Sequence, residues 1–315
     1  MPRPLITSLI LALLAAPPAS GAVEPGSLEA GGLRRTYVVA LPAQPKPGAS
    51  LPLVVVLHGA GGNGLAALQK YRWDTRAEAG EFVAVAPDAE PALLDRPDNF
   101  LTNPRFWNDG SDRGPRGHRA VDDTAFIAAL IDRLTARYPV DPRRIYATGF
   151  SSGASMTHLL GIELADRLAA IAPVAGKAWL KTAPRRPVPV LFLVGDKDPL
   201  TPLQGGAVRL PWGGTQQYPP ARDLPKSWAR LDRCAEPPEV TSPQAGLTLE
   251  AWRSCAGDAE VLFYTVAGLG HEWAGGAGRA LPEPITGPYT DAVDTTAMIT
   301  SFFDRHRLTP LSQAR

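Results

Sequence analysis

Seven short apolar runs, most of them rich in valine, recur along the chain with little polar alternation. They lie at Tyr37–Leu41, Leu53–Leu57, Phe82–Ala86, Arg144–Thr148, Ala170–Val174, Val190–Val194 and Val261–Val266. Runs of this kind are typical of strands that are buried on both faces. Helix-like segments lie between many of them, at Leu65–Ala79, Val121–Tyr138, Ser152–Arg167, Leu224–Leu231 and Asp291–Arg305. The alternation predicts an α/β fold with a mostly parallel central sheet flanked by helices.

The first 22 residues follow a different pattern. Arg3 precedes an apolar run from Leu5 to Ala16, and small residues follow two prolines. This pattern predicts a secretory signal peptide over residues 1–22, and therefore a protein secreted to the periplasm or the extracellular medium. The run is shorter than the roughly 20 apolar residues of a membrane span, so we expect no stable membrane anchor. Residues 23–315 show no linker, and we expect them to form a single domain.

The net charge bears on the possible partners, and the predicted compartment bears on the state of the cysteines. The 32 basic and 31 acidic side chains give a formal net charge of +1, so we expect neither a nucleic acid nor an anionic membrane as partner. Cys234 and Cys255 are the only two cysteines. Because the predicted compartment is oxidising, we expect them to form a disulfide.

The most informative motif is Gly149–Gly153, which reads Gly-Phe-Ser-Ser-Gly. It follows an apolar run and precedes a predicted helix, as a nucleophile elbow does. In such an elbow a sharp strand-to-helix turn exposes the central hydroxyl, here that of Ser151, above the sheet. The pattern also arises by chance, so its context must support the assignment.

Two further motifs supply partners for Ser151. The turn Gly195–Pro199 follows a predicted strand and contains Asp196 and Asp198, of which we select Asp198 as the catalytic carboxylate. His271 lies on a glycine-rich loop after the last predicted strand. The chain order serine, aspartate, histidine is the one expected in hydrolases of this architecture. His271 would take the serine proton, and Asp198 would hold the imidazole tautomer.

The loop after the second predicted strand has two interpretations. In a hydrolase the backbone N–H groups of Ala60 and Ser152 would bind the oxyanion. However, Gly59–Gly64 also fits G-x-G-x-x-G, and Asp88 ends the next strand, as in a dinucleotide-binding oxidoreductase. That alternative leaves the three catalytic candidates without a role.

Residues beside the motifs are candidates for the substrate site. Trp107 and Trp273, together with His58 and Asn108, are possible lining residues, although large aromatic side chains also pack over sheets. The segment Leu200–Pro225 is either part of a lid or pocket wall, or an ordered surface loop. No zinc, calcium or Walker motif is present in the sequence, so we expect no cofactor or metal.

From Leu51 to Gly276 the motifs occur in the order of a known family. They are Pro52–Gly59, Trp107–Asn108, Val121–Ile127, Asp141–Tyr146, Gly149–Gly153, Gly195–Pro199, Trp228 with the two cysteines, and Gly270–Gly276. In these residues the chain resembles the secreted polyhydroxybutyrate depolymerase and feruloyl esterase group of α/β-hydrolases. The resemblance implies a cofactor-independent serine carboxylic ester hydrolase with an acyl-enzyme intermediate. It favours Asp198 over Asp196, because the family's aspartate turn is similar to Gly195–Pro199.

The resemblance leaves the substrate open. Many depolymerases have a cysteine where this chain has Ala60, and the length of the chain leads us to expect no separate polymer-binding domain. We therefore expect feruloyl or acetyl esters, or short hydroxyalkanoate oligomers, as substrates. A polymer-degrading polyhydroxybutyrate depolymerase and a serine peptidase are the alternatives, because the same triad also attacks polymers and amides.

Overall fold

The computed structural model describes residues 23–80, 82–111, 121–211, 213–279 and 281–309. The predicted signal peptide at residues 1–22 lies outside them. The strands are β1 (Val23–Ala30), β2 (Leu33–Ala40), β3 (Leu51–Leu57), β4 (Val83–Pro87), β5 (Val140–Phe150), β6 (Ala170–Val174), β7 (Val190–Gly195), β8 (Gly206–Arg209), β9 (Thr215–Tyr218), β10 (Glu239–Gln244), β11 (Leu247–Trp252) and β12 (Val261–Val266). The helices are α1 (Gly64–Lys70), α2 (Trp73–Ala79), α3 (Asp123–Arg137), α4 (Ser152–Glu163), α5 (Asp223–Leu231), α6 (Glu283–Thr286) and α7 (Thr295–Asp304).

Ten strands form one sheet in the order β1-β2-β4-β3-β5-β6-β7-β12-β11-β10. The six strands from β4 to β12 in this order are parallel, whereas the two strands at each edge are antiparallel. An apolar core covers each face of the sheet. The predicted α/β fold with a mostly parallel sheet is therefore confirmed, and the carboxyl ends of its parallel strands meet along one edge.

Two groups of elements differ from the sequence prediction. Leu65–Ala79 forms two helices, α1 and α2, because Arg72 lies between them in the left-handed conformation with φ of 60°. The predicted strands omitted β1 and β8 to β11. All six residues of β10 are exposed, and Leu247, Leu249 and Ala251 of β11 are buried at alternate positions. These strands lie at an edge or outside the main sheet, so they carry no continuous apolar run.

The predicted disulfide is confirmed, since Cys234 and Cys255 are bonded. We expect replacement of both cysteines by serine to destabilise the fold, because the bond closes a loop across a sequence separation of 21 and restricts the unfolded chain. In the entropic model the loss is about 3 kcal/mol. Thermal unfolding of the variant and of the reduced wild type measures it. Unchanged melting temperatures in both would contradict this expectation.

Asp232 carries a buried carboxylate at the end of α5. It is inaccessible to solvent and accepts a hydrogen bond from the Val188 N–H at 3.0 Å. Burial raises its pKa from 3.8 to about 7, although the Val188 N–H and the Arg186 charge oppose this. A raised folded-state pKa favours the protonated form, so the associated stability is present below pH 3.8 and is lost as the pH rises to about 7.

We therefore expect Asp232→Asn to flatten the pH dependence of stability between pH 4 and 8. Asparagine keeps an acceptor for the Val188 N–H and removes the charge. Above pH 7 the variant should melt at least a few degrees higher than the wild type, since about 1 kcal/mol moves the melting temperature by roughly 2–4 °C. Melting curves across this range test the expectation, and parallel pH profiles for the two proteins would refute it.

Candidate active site

The turn at Ser151 joins β5 to α4 at the carboxyl edge of the sheet. Ser151 has φ of 55° and ψ of −114°, a strained conformation for a residue with a side chain. A Cβ atom on Gly153 would lie 2.3 Å from the Leu57 carbonyl oxygen, and one on Gly149 would lie 2.6 Å from the Gly153 backbone. Both glycines of the motif are therefore required by close backbone packing, and the turn has the geometry of a nucleophile elbow.

Three side chains that are distant in sequence form a continuous chain of hydrogen bonds. Ser151 Oγ lies 2.8 Å from His271 Nε2, and His271 Nδ1 lies 2.8 Å from Asp198 Oδ2. Asp198 and His271 are buried, whereas Ser151 is half-buried at the floor of a cavity. The structure thus brings together the three residues that the sequence singled out.

The neighbouring aspartates of the turn after β7 have different partners. Asp198 Oδ1 accepts hydrogen bonds from the N–H groups of Leu200 and Thr201 at 2.8 and 2.7 Å, which leaves Oδ2 for the histidine. Asp196 instead accepts the Gly268 N–H at 2.7 Å. Two backbone bonds therefore fix the Asp198 carboxylate, while Asp196 braces the start of the histidine loop.

The segment after His271 is held by an ion pair between the half-buried Lys70 and the buried Glu272. The His271 N–H donates to the Thr286 carbonyl at 2.5 Å, and Thr286 Oγ1 donates to Glu272 Oε1 at 2.9 Å. Glu272 is fully buried, and its Oε2 lies 3.7 Å from Lys70 Nζ. Burial lowers the pKa of Lys70, and the Glu272 charge opposes this. The sequence prediction missed this pair, because only the fold brings α1 against the histidine loop.

Backbone donors lie beside Ser151. Ser152 is the first residue of α4, where backbone N–H groups have no partner within the helix. Ala60 lines the same cavity. The next amide, that of Gly61, donates to the Arg105 carbonyl at 2.8 Å, whereas among the described residues the Ala60 amide donates to no backbone carbonyl. The arrangement is compatible with an oxyanion site, which stays a prediction.

His58 lines the cavity, but its ring is held on both sides. Nδ1 lies 2.7 Å from the Gly59 carbonyl, and Nε2 accepts the Ala89 N–H at 3.0 Å. Burial is the main cause that lowers the pKa of His58 to about 4. The imidazole is therefore neutral near pH 7, and it connects the Gly59 loop to the residues after β4.

The other three candidate lining residues do not line this cavity. Trp107 is fully buried and donates from Nε1 to the His58 carbonyl at 2.9 Å. Asn108 Nδ2 donates to the Val121 carbonyl at 2.8 Å. Trp273 stacks on Tyr71 with ring centroids 4.5 Å apart. Of the two interpretations left open by the sequence, the structure favours packing for Trp107 and Trp273, which are buried, while Asn108 is half-buried and bonded to the chain at Val121.

The cavity above Ser151 has a volume of about 330 Å³. Much of its apolar wall comes from residues outside every motif, namely Tyr71, Phe100, Leu210 and Leu281. The segment Leu200–Pro225 contains the β8–β9 hairpin, and several of its residues line the cavity. Of the two interpretations left open by the sequence, the structure therefore supports a pocket wall.

The glycine-rich loop is used differently from a dinucleotide site. Asp88, the candidate ribose-binding residue, accepts the Gly64 N–H at 2.7 Å and the Thr36 hydroxyl at 2.6 Å. Its carboxylate thus ties the loop to β2.

In the described ranges, no group of three or more His, Cys, Asp and Glu side chains is arranged to hold a metal ion. No helix in the part of the chain that the structure describes is long and apolar enough to cross a membrane.

The sheet order, the elbow and the Ser151–His271–Asp198 arrangement define an α/β-hydrolase. A model of the dienelactone hydrolase family matches residues 36–206, and the chain belongs to this family. Feruloyl esterase B of Piromyces equi is 34% identical over 157 residues, which cover 48% of this chain and 29% of that protein. Poly(3-hydroxyalkanoate) depolymerase C of Paucimonas lemoignei is 25% identical over 239 residues, which cover 71% of this chain and 55% of that protein. The chain thus corresponds to only a part of each relative.

Solved structures support the same fold. The acetyl xylan esterase from Aspergillus awamori superposes with a TM-score of 0.58 and 15% sequence identity, over 89% of this chain and 99% of that chain. At this identity the likeness concerns the fold alone. Together with the family match, it identifies the chain as an α/β-hydrolase. The dinucleotide-binding alternative is therefore wrong.

Proposed function

We propose that this protein is a serine carboxylic ester hydrolase in which Ser151 is the nucleophile, His271 the general base and acid, and Asp198 the carboxylate that orients His271. The observation that carries the proposal is the unbroken hydrogen-bond chain Ser151–His271–Asp198 at the floor of a cavity. An unassisted serine hydroxyl is a weak nucleophile, and a histidine at 2.8 Å is close enough to accept its proton.

The reaction follows from this arrangement in two halves. Ser151 Oγ attacks the ester carbonyl carbon as His271 Nε2 takes the hydroxyl proton. The tetrahedral oxyanion accepts hydrogen bonds from the N–H groups of Ala60 and Ser152. When the bond to the alkoxy oxygen breaks, His271 returns the proton to the leaving alcohol and the acyl group stays on Ser151. Water then attacks the acyl-enzyme with His271 as base, which releases the carboxylic acid and regenerates the hydroxyl.

We propose feruloyl or acetyl esters, or short hydroxyalkanoate oligomers, as substrates. The names of the relatives from Piromyces equi and Paucimonas lemoignei support these acyl groups. A cavity of about 330 Å³ with aromatic and aliphatic walls also suits a small or aromatic acyl chain. The depolymerase relative favours polymer degradation as the second candidate, because its match covers most of this chain.

A matched substrate panel tests the proposal. It contains p-nitrophenyl acetate and butyrate, methyl ferulate, acetylated xylan, hydroxybutyrate oligomers, polyhydroxybutyrate film and a peptide p-nitroanilide. Hydrolysis of the soluble esters, without cleavage of the anilide, is the expected result. Faster release from the film than from the oligomers would favour the depolymerase. Cleavage of the anilide alone would favour the peptidase and contradict the proposal.

We also propose that residues 23–315 act as one catalytic domain that is exported after removal of residues 1–22. The disulfide supports export, because such bonds persist mainly in oxidising compartments. Amino-terminal sequencing of the protein from the periplasm or medium tests this proposal. A mature chain that starts near Val23 is expected, and retention of the uncleaved chain in the reducing cytosol would contradict it.

A further inference from the structure

The wall of the cavity above Ser151 contains a hydroxyl group to which the mechanism described above gives no role. It belongs to Tyr71, which ends α1, is 4% exposed and lines the cavity. A hydroxyl taken out of water without a hydrogen-bond acceptor destabilises a protein, whereas phenylalanine would supply the same apolar ring without that cost. A tyrosine at this position therefore points to a partner for the hydroxyl inside the cavity.

The Tyr71 hydroxyl lies at the loop that follows β3. Its oxygen accepts a hydrogen bond from the Gly59 N–H. Gly59 in turn packs against the elbow, because a Cβ atom on this glycine would lie 3.5 Å from the Cβ atom of Ser151. The next residue, Ala60, carries one of the two proposed oxyanion donors and lines the same cavity. The hydroxyl is therefore beside the place where the oxyanion would form.

The proton of this hydroxyl is available to a ligand. A tyrosine hydroxyl donates one proton and also accepts hydrogen bonds, so the bond from Gly59 leaves the proton unused. Among the residues that the structure describes, this proton has no acceptor. Burial raises the pKa of Tyr71, and the Gly59 N–H opposes this rise. The hydroxyl is therefore protonated near pH 7 and can donate.

The ring of Tyr71 is held by two aromatic neighbours from the catalytic loops. It stacks on Trp273 with ring centroids 4.5 Å apart, and it packs at an angle against Phe150 with centroids 5.8 Å apart. Phe150 directly precedes Ser151, and Trp273 follows His271 by two residues. A donor that is fixed in advance in this way stabilises a developing charge without the cost of reorganisation.

We propose that the Tyr71 hydroxyl is a third oxyanion donor, together with the backbone N–H groups of Ala60 and Ser152. The inference deepens the proposed function and rests on it. As Ser151 Oγ bonds to the carbonyl carbon, the electron pair of the C=O π bond moves to the oxygen. The hydroxyl donates a hydrogen bond to this oxygen and keeps its own proton. The electron pair returns to the carbonyl when the bond to the alkoxy oxygen breaks.

Tyr71→Phe tests the donor, because it removes the hydroxyl and keeps the ring. The hydrogen bond strengthens only in the transition state, so we expect kcat for p-nitrophenyl acetate to fall by roughly 10- to 100-fold with little change in KM. Tyr138→Phe is the matched control, since it removes a hydroxyl that contacts Glu24 away from the cavity, and it should keep the kcat of the wild type. Rates are referred to the folded fraction from melting curves. An unchanged kcat in Tyr71→Phe, or a rise in KM alone, would overturn the inference.

A trifluoromethyl ketone separates oxyanion binding from the shape of the cavity. Addition of Ser151 Oγ to 1,1,1-trifluoro-4-phenylbutan-2-one, with the serine proton on His271, gives a hemiketal with a negative oxygen. The corresponding alcohol, 1,1,1-trifluoro-4-phenylbutan-2-ol, has the same shape but forms no oxyanion. In Tyr71→Phe we expect the inhibition constant of the ketone to rise by the factor by which kcat/KM falls, and that of the alcohol to stay unchanged.

The same experiment distinguishes failure of this inference from failure of the proposed function. An equal rise in both inhibition constants would show that Tyr71 only shapes the cavity, and would overturn the inference. Equal ketone affinity in the wild type and in Tyr71→Phe, with hydrolysis that depends on Ser151, would overturn the third donor and leave the esterase intact. A wild-type protein that hydrolyses no ester of the panel would overturn both.

Discussion

Replacement of Ser151 by alanine is expected to abolish ester hydrolysis while the protein stays folded. Loss of the nucleophile in serine hydrolases lowers kcat by roughly 10³- to 10⁶-fold, and the residual rate comes from binding and the oxyanion site. Folding should survive, because alanine removes only a half-buried hydroxyl whose partner is His271. Alanine also keeps the Cβ atom of serine, so we expect the packing of the elbow to stay the same. Steady-state hydrolysis of p-nitrophenyl acetate measures the effect.

The matched control is Ser227→Ala, which removes a half-buried hydroxyl from α5 that donates to the Asp223 carbonyl. This variant should keep the kcat of the wild type. Melting temperatures of both variants should lie close to that of the wild type, which separates loss of chemistry from loss of structure. A Ser151→Ala enzyme that keeps near-normal turnover would refute Ser151 as the nucleophile.

Asp198→Asn is expected to lower kcat by roughly 10⁴-fold, as the equivalent change does in a serine protease. The reason lies in the fixed orientation of the side chain. The N–H groups of Leu200 and Thr201 both donate to Oδ1, so asparagine would keep its oxygen there and turn its NH₂ group to His271. Donation from this group to Nδ1 places the imidazole proton on Nε2. Nε2 then cannot accept the proton of Ser151.

Asp196→Asn provides the matched control for this prediction. Asp196 lies two residues away in the same turn, but its carboxylate accepts the Gly268 N–H and does not contact His271. We expect the Asp196 variant to keep most of its activity, measured as kcat on the same ester. If the two variants lost activity equally, the turn as a whole and not the tautomer of His271 would be responsible.

The three residues Ser151, Asp198 and His271 could be predicted because each reactive residue type directly follows a predicted strand. Ser151, Asp198 and His271 each follow a buried parallel strand, and the carboxyl ends of such strands meet at one edge of the sheet. The two glycines that flank the elbow also follow from local geometry, since both pack directly against backbone atoms. The positions of the three residues and of the two glycines could therefore be predicted from the sequence pattern.

The walls of the site were not predictable, because they depend on contacts between distant segments. Trp107 and Trp273 are adjacent to motifs in the sequence, but burial of large aromatic rings places them beneath the loops. The actual wall residues, such as Phe100 and Tyr218, lie in stretches with no recognisable pattern. The hairpin that carries Tyr218 has mostly exposed short strands, and such strands give no apolar run.

Labelling with a fluorophosphonate, followed by peptide mass spectrometry, is the sharpest test of whether Ser151 is the nucleophile. The reagent phosphonylates a serine only when that serine is activated as a nucleophile, so it reports on Ser151 without assuming a substrate. We expect one adduct per chain, located on Ser151, with loss of esterase activity in proportion to labelling. We expect no adduct in Ser151→Ala. An unlabelled protein that hydrolyses esters, or an adduct on another residue that abolishes activity, would show that Ser151 is not the nucleophile.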